Sequence, residues 1–387
     1  MARPPDNLPF FRLVAAGLSD DAATVPRAKF VGEAGLIARA AGLIAPDPDP
    51  RLDAVVAALE QEFNSARHMS LADNALRPVD MLYPYAALHG RIRPIPYYET
   101  WLDEFVRRRP AFPDRPNYRI CEDDFIIYMA GRGKLPTFSG DIWAGSQRKV
   151  YDFNTEQCYC LTHRYIYATD LGESDIAVGW VVPALLVIVG KAALWRNFDL
   201  FYEAAFCLIS ADSSRETVLL VDSLSEVFRP ELLRMQAQET VDDVYHELFV
   251  YSLFRLRRDR IGASETPDEG RAGEILTEFV AALGSKSPDR IVRANRALCA
   301  VFPHLFFDEV CLEKLTWLKD MAGIGVLFEN EIMRSAADPA PGLYAEYGQR
   351  VDAAMEAIAE IGRSSSAPAP LPCGHRASRA GRSTIPV

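Results

Sequence analysis

The chain lacks most of the short signatures that would name a chemistry outright. Its seven cysteines, at 121, 158, 160, 207, 299, 311 and 373, are odd in number and form no C-x-x-C pair. That spacing excludes a structural zinc finger or a disulfide framework, and it points to reduced thiols in a cytoplasm. The longest apolar run, Ile176 to Gly190, is interrupted by Pro183. It falls short of the roughly 20 residues that cross a bilayer and reads as a buried core helix. Met1 to Asn7 carries two prolines and no apolar core after a basic start, so no signal peptide is expected. Positive charge is scarce as well: 42 lysines and arginines against 53 carboxylates leave a net charge of −11. Such a balance argues against nucleic acid or an anionic membrane as partner.

The histidines number only six. His246-Glu247 is followed at position 250 by Val, which removes the H-E-x-x-H zinc motif. Glu-x-x-His, the di-iron bundle motif, occurs nowhere. Gly131-Arg-Gly133 has neither the lysine nor the strand–helix frame of a phosphate loop. No period-2 strand run outcompetes a helical reading, and no fixed repeat of 34 or 40 residues marks a named solenoid.

What remains is helical periodicity almost throughout. Leu52, Val55, Val56, Leu59 and Phe63 recur at helical spacing after the break Pro46-Asp-Pro-Asp-Pro50. Further helices are expected at about 29–44, 97–109, 119–130, 158–172, 176–193, 198–210 and 215–228. A long one is expected over 231–260, then others at about 269–283, 288–302, 306–335 and 341–362. Pro78 and Pro84 should divide 71–88 into short helices. Residues 1–26 read as a loosely packed lead-in, 27–362 as the main domain, and 363–387 as a disordered, basic, Ser/Pro-rich tail. The expected fold is all-α. Antiparallel helical hairpins would form an α/α toroid or an irregular helical solenoid around a central cavity.

One stretch, Cys158 to Gly172, gathers His163, Tyr167 and Asp170 at i, i+4 and i+7. Continuous helix would set the three on one face. An inward polar stripe must be satisfied by hydrogen bonds, a metal or a substrate. A second helix carries His246, preceded by Glu239, Asp242 and Asp243. The two histidines and the carboxylates of Asp170 and Asp243 could surround one divalent metal, or His163, Tyr167, Asp170 and His246 could serve as acid–base groups. Each histidine could equally be satisfied by a local carboxylate or carbonyl in a purely structural role. Asp199 and Glu203 offer further carboxylates, and a buried Glu203 would need a partner.

Thr162-His163, Tyr167, Thr169-Asp170 and Gly172, followed by Tyr245-His246, resemble the Thr-His-x3-Tyr-x-Thr-Asp-x-Gly signature of an uncharacterised bacterial all-helical family. The resemblance spans about residues 155–260. It implies an architecture similar to α/α toroids and a shared pocket, and it carries no activity. From the two histidine helices, the expectation is an enzyme acting on a small molecule or peptide in a helical pocket. The alternative is a non-catalytic helical scaffold that binds a peptide or partner protein.

Overall fold

The structure is a computed structural model. It describes residues 9–19, 25–44, 49–66, 68–69, 78–108, 117–138, 153–176, 181–237, 244–262, 274–275, 278, 281–282 and 288–301. Among them there is no strand. The helices are α1 (Pro9–Ser19), α2 (Val25–Ile44), α3 (Pro50–Phe63), α4 (Pro78–Ala87), α5 (Pro96–Arg108), α6 (Asn117–Met129) and α7 (Thr155–Ala168). They continue with α8 (Val181–Trp195), α9 (Phe198–Ala211), α10 (Arg215–Ser225), α11 (Arg229–Gln236), α12 (Tyr245–Ile261) and α13 (Pro288–Val301). A 3-10 turn, Glu226–Phe228, joins α10 to α11. No helix among the described residues is long and apolar enough to cross a membrane.

Local chemistry sets many of these boundaries. Asp49 caps α3 by accepting from the Arg51 backbone N–H, with Pro50 at the first helical position. Asn154 and Gln157 close a reciprocal capping box at the start of α7. Asn197 and Ser214 cap α9 and α10 with side-chain oxygens that accept from the Leu200 and Thr217 N–H groups. α3 buries the five apolar residues that its spacing predicts. α9 is buried on every side from Phe198 to Ile209 apart from Asp199, which marks it as the central helix.

Packing places α9 against α8, α12, α7 and α10. α2 packs on α4, α4 on α6, α6 on α7, α7 on α9, α9 on α12, and α12 back on α2. Six helices thus close a cycle of contacts within one compact unit. α1 packs on α3 and α12, and α13 on α10.

Several expectations change. Within residues 1–26, expected to be loosely packed, Pro9–Ser19 is α1, and its Phe10, Leu13 and Val14 are buried. Pro84 lies inside α4 rather than ending it. The single helix expected over 231–260 is two, α11 and α12, with α11 ending at Gln236 and α12 starting at Tyr245. His246 therefore occupies the first turn of its helix. The expected helices over 306–335 and 341–362, and the tail 363–387, lie outside the described residues.

The largest local departure follows α7. The helix ends at Ala168, and Asp170, Leu171 and Gly172 all take positive φ (46°, 61° and 82°). A side chain at position 172 would come within 2.6 Å of the Ser210 hydroxyl, so this position requires glycine. Two non-glycine residues in the left-handed region carry strain that the surroundings must offset. The Thr169 hydroxyl does part of this, donating to Tyr165 O at 2.7 Å and accepting from the Gly172 N–H at 2.9 Å. Asp170 supplies the rest. Arg39 of α2 donates to both its carboxylate oxygens at 2.9–3.1 Å, and the Tyr128 hydroxyl of α6 donates at 2.9 Å. The Asp170 side chain is 8% exposed, so removing it would strand a largely buried guanidinium. Exposed pairs such as Arg229–Glu226 contribute about 1 kcal/mol or less, whereas breaking a buried pair costs about 3–5 kcal/mol. Asp170→Ala should accordingly lower unfolding stability by about 3 kcal/mol in urea denaturation, and Arg229→Ala by less than about 1 kcal/mol. Equal, small losses for the two would contradict this role for Asp170.

Candidate functional site

Four helices of the cycle turn polar side chains toward one another. α7 contributes Tyr159 and His163 at i and i+4, with Thr162 beside them. α9 contributes Asp199 and Glu203, also at i and i+4, and so on one face of an otherwise apolar helix. α12 contributes His246, and α2 contributes Glu33.

The contacts follow a pattern in which each group is held through one atom and presents another. Tyr159 donates its hydroxyl to Asp199 Oδ2 at 2.8 Å. Asp199 Oδ1 is buried, lies 3.2 Å from His246 Nε2, and accepts no well-aligned hydrogen bond. Thr162 donates its hydroxyl to Glu203 Oε2 at 2.8 Å, leaving Oε1 facing His163 Nε2 at 3.6 Å. His163 Nδ1 donates to the Tyr159 carbonyl at 2.7 Å, which fixes that nitrogen as the protonated one. His246 Nδ1 lies 2.8 Å from Glu33 Oε2, and Glu33 Oε1 lies 3.5 Å from Lys29. One donor atom each of Asp199, Glu203 and His246 falls within 4.8 Å of the others, close enough to share one metal ion.

Burial drives the electrostatics. Glu203, whose side chain is 6% exposed, has its pKa raised by desolvation and further by the charge of Asp199. Asp199 goes the other way: burial would raise it, but the His246 imidazole and the Tyr159 hydroxyl outweigh burial and hold it low. Two carboxylates one helical turn apart are thus driven apart in acidity, the arrangement that separates an acid from a base. Burial pulls His246 down, yet Asp199 and Glu33 prevail and raise it to about 11.

Of the residues singled out by spacing, the structure brings His163 and His246 against adjacent carboxylates of the same helix, α9. Asp170 is not with them. The i+7 spacing counts on helix that has already ended at Ala168, and the left-handed turn carries Asp170 to Arg39 and Tyr128. Tyr167 is buried one turn beyond His163, stacked on Phe125 and edge-on to Tyr83, with its hydroxyl 3.4 Å from Glu122 Oε1. Its pKa is well raised by burial, which keeps it a neutral phenol. Asp243, like Asp242, lies outside the described residues. Glu33, Tyr159 and Thr162 are the members that spacing did not select. A lone glutamate between Gly32 and Ala34 in an Ala/Gly/Leu-rich helix was the available signal for the first.

The chain belongs to the family described as "Domain of unknown function (DUF6895)", whose model matches residues 5–238. Glu33, Tyr159, Thr162, His163, Asp199 and Glu203 fall inside that match, and His246 lies just beyond it. No curated protein and no solved structure matches the chain.

A raised imidazole pKa has a defined sign. The stabilisation that His246 gains from its carboxylates is fully present below about pH 6.5, its value in the unfolded chain, and is lost as pH rises through about 11. In metal-free protein the His246 ring-proton NMR shifts should stay constant from about pH 5 to 9, a range over which an ordinary histidine titrates. A His246 midpoint near its unperturbed value would contradict the paired geometry.

Proposed function

We propose that this member of the DUF6895 family is a metal-assisted enzyme acting on a small molecule or peptide. On this reading the cycle of six helices is an α/α toroid, and the polar cluster lies in its central pocket. Asp199, Glu203 and His246 hold one divalent cation. The observation that carries the proposal is the convergence of their donor atoms within 4.8 Å, with the buried Asp199 Oδ1 still without an aligned hydrogen bond. A mixed carboxylate–imidazole set suits zinc, iron or manganese.

The cation would supply Lewis-acid polarisation of a carbonyl or phosphoryl oxygen. His163 would take or return a proton at Nε2, the nitrogen turned toward Glu203. Its Nδ1–H bond to the Tyr159 carbonyl fixes the ring orientation. Tyr159 and Thr162 would keep the carboxylates of Asp199 and Glu203 in place. Tyr167, farther along the same face of α7, would offer a neutral phenol. Cys121, Cys158 and Cys207 are free thiols, which fits work in a reducing cytoplasm.

A second reading draws on the same contacts. Glu33, His246, Asp199 and Tyr159 already partner one another across four helices, as the polar core of a non-catalytic scaffold for a peptide or partner protein would. Metal analysis separates the two. Protein purified without an affinity tag and dialysed against zinc or manganese should retain about one equivalent of metal. Asp199→Asn and Glu203→Gln should each weaken binding by more than about 100-fold, beyond the cost of losing an outer partner. Asp170→Asn should leave binding unchanged. Wild-type protein that retains no metal would overturn the metal-assisted reading.

A further inference from the structure

We infer that Glu33 is the positioning residue of the centre, setting which nitrogen of His246 is presented to Asp199 and Glu203. The inference rests on the metal reading and assigns a residue that touches neither carboxylate of α9. α2 is a tightly packed helix whose Val31, Ala34, Ile37 and Ala38 are buried. Glu33 lies beside them, 19% exposed, and a partly buried carboxylate is unfavourable without partners. Glu33 meets that cost with two: Lys29 one turn earlier, and His246 Nδ1 across the α2–α12 contact.

Among the described residues, nothing local to α12 does the same work. Val244 occupies the cap position and makes no side-chain cap bond, and His246 sits in the first turn. Glu33 is therefore the group that pins the ring. Glu33 accepts from Nδ1–H, which commits Nδ1 to Glu33 and leaves Nε2 turned to Asp199 as the nitrogen that would give up its proton on binding a metal. Asp199 and Glu203 are held in the same manner by Tyr159 and Thr162. Each of the three donors thus has one outer partner, and for His246 that partner comes from α2.

The test compares wild type with Glu33→Gln and Glu33→Leu in the full chain. Gln keeps an oxygen that accepts from Nδ1–H, and Leu removes it. The probe is cobalt(II), followed by its visible spectrum, with the His246 Nδ1–H proton resonance measured in metal-free protein. Gln should keep both wild-type cobalt affinity and the resonance, which Glu33 shields from solvent exchange. Leu should lose the resonance and bind cobalt about 10–100-fold more weakly. Were Leu to misfold, a Gln variant with weakened binding and no resonance would itself overturn the inference. Equal cobalt affinity in wild type and a folded Leu variant would overturn it while leaving the metal reading intact. A wild type that binds no cobalt yet shows the protected resonance would sink the metal reading and leave the Glu33–His246 contact standing.

Discussion

Burying carboxylates is the constraint from which the rest of this structure follows. Asp199 and Glu203 sit on a helix that is otherwise apolar and Glu33 beside buried apolar residues of α2, and each would be unfavourable there without partners. The chain meets the constraint by drawing partners from other helices: His246 for Glu33 and Asp199, Tyr159 for Asp199, and Thr162 with His163 for Glu203. These contacts fasten α2, α7, α9 and α12, four of the six helices whose packing closes a cycle. A network of this kind is intolerant of single deletions, because removing one member strands the next.

A second device holds the far end of α7. The Arg39–Asp170–Tyr128 contacts fix a left-handed turn that an unconstrained chain would avoid. Glu173, just after it, pairs with Arg257 and Arg260 of α12. The two devices hold different parts of α7, the cluster its Tyr159–His163 face and the turn its C-terminal end. α2 serves both, with Glu33 on the cluster and Arg39 on the turn.

Much of the fold was legible in the residues. Apolar spacing after the Pro46–Pro50 break marked α3, and the apolar run from Ile176 to Gly190 marked α8 as a buried core helix. Other features were hidden for physical reasons. No glycine or proline lies between Ala237 and Val244, so nothing in the pattern separated α11 from α12. The end of α7 at Ala168 depends on Arg39, more than a hundred positions earlier, which makes the turn possible. The same limit applied to the site. His163, His246, Asp199 and Glu203 carry chemistry that a single helix displays. Their relation to Glu33 arises only when α2 and α12 pack, and Asp170 was placed by a helical count that the turn interrupts.

The convergence of Asp199, Glu203 and His246 is either a place for a cation or only a polar joint between helices. Anomalous diffraction at the manganese or zinc edge, from crystals grown with that metal, addresses this most directly. One peak within bonding distance of Asp199, Glu203 and His246, with Nδ1 of the imidazole still on Glu33, is the predicted result. A peak elsewhere, or none, with Nε2 still directly against Asp199, would contradict it.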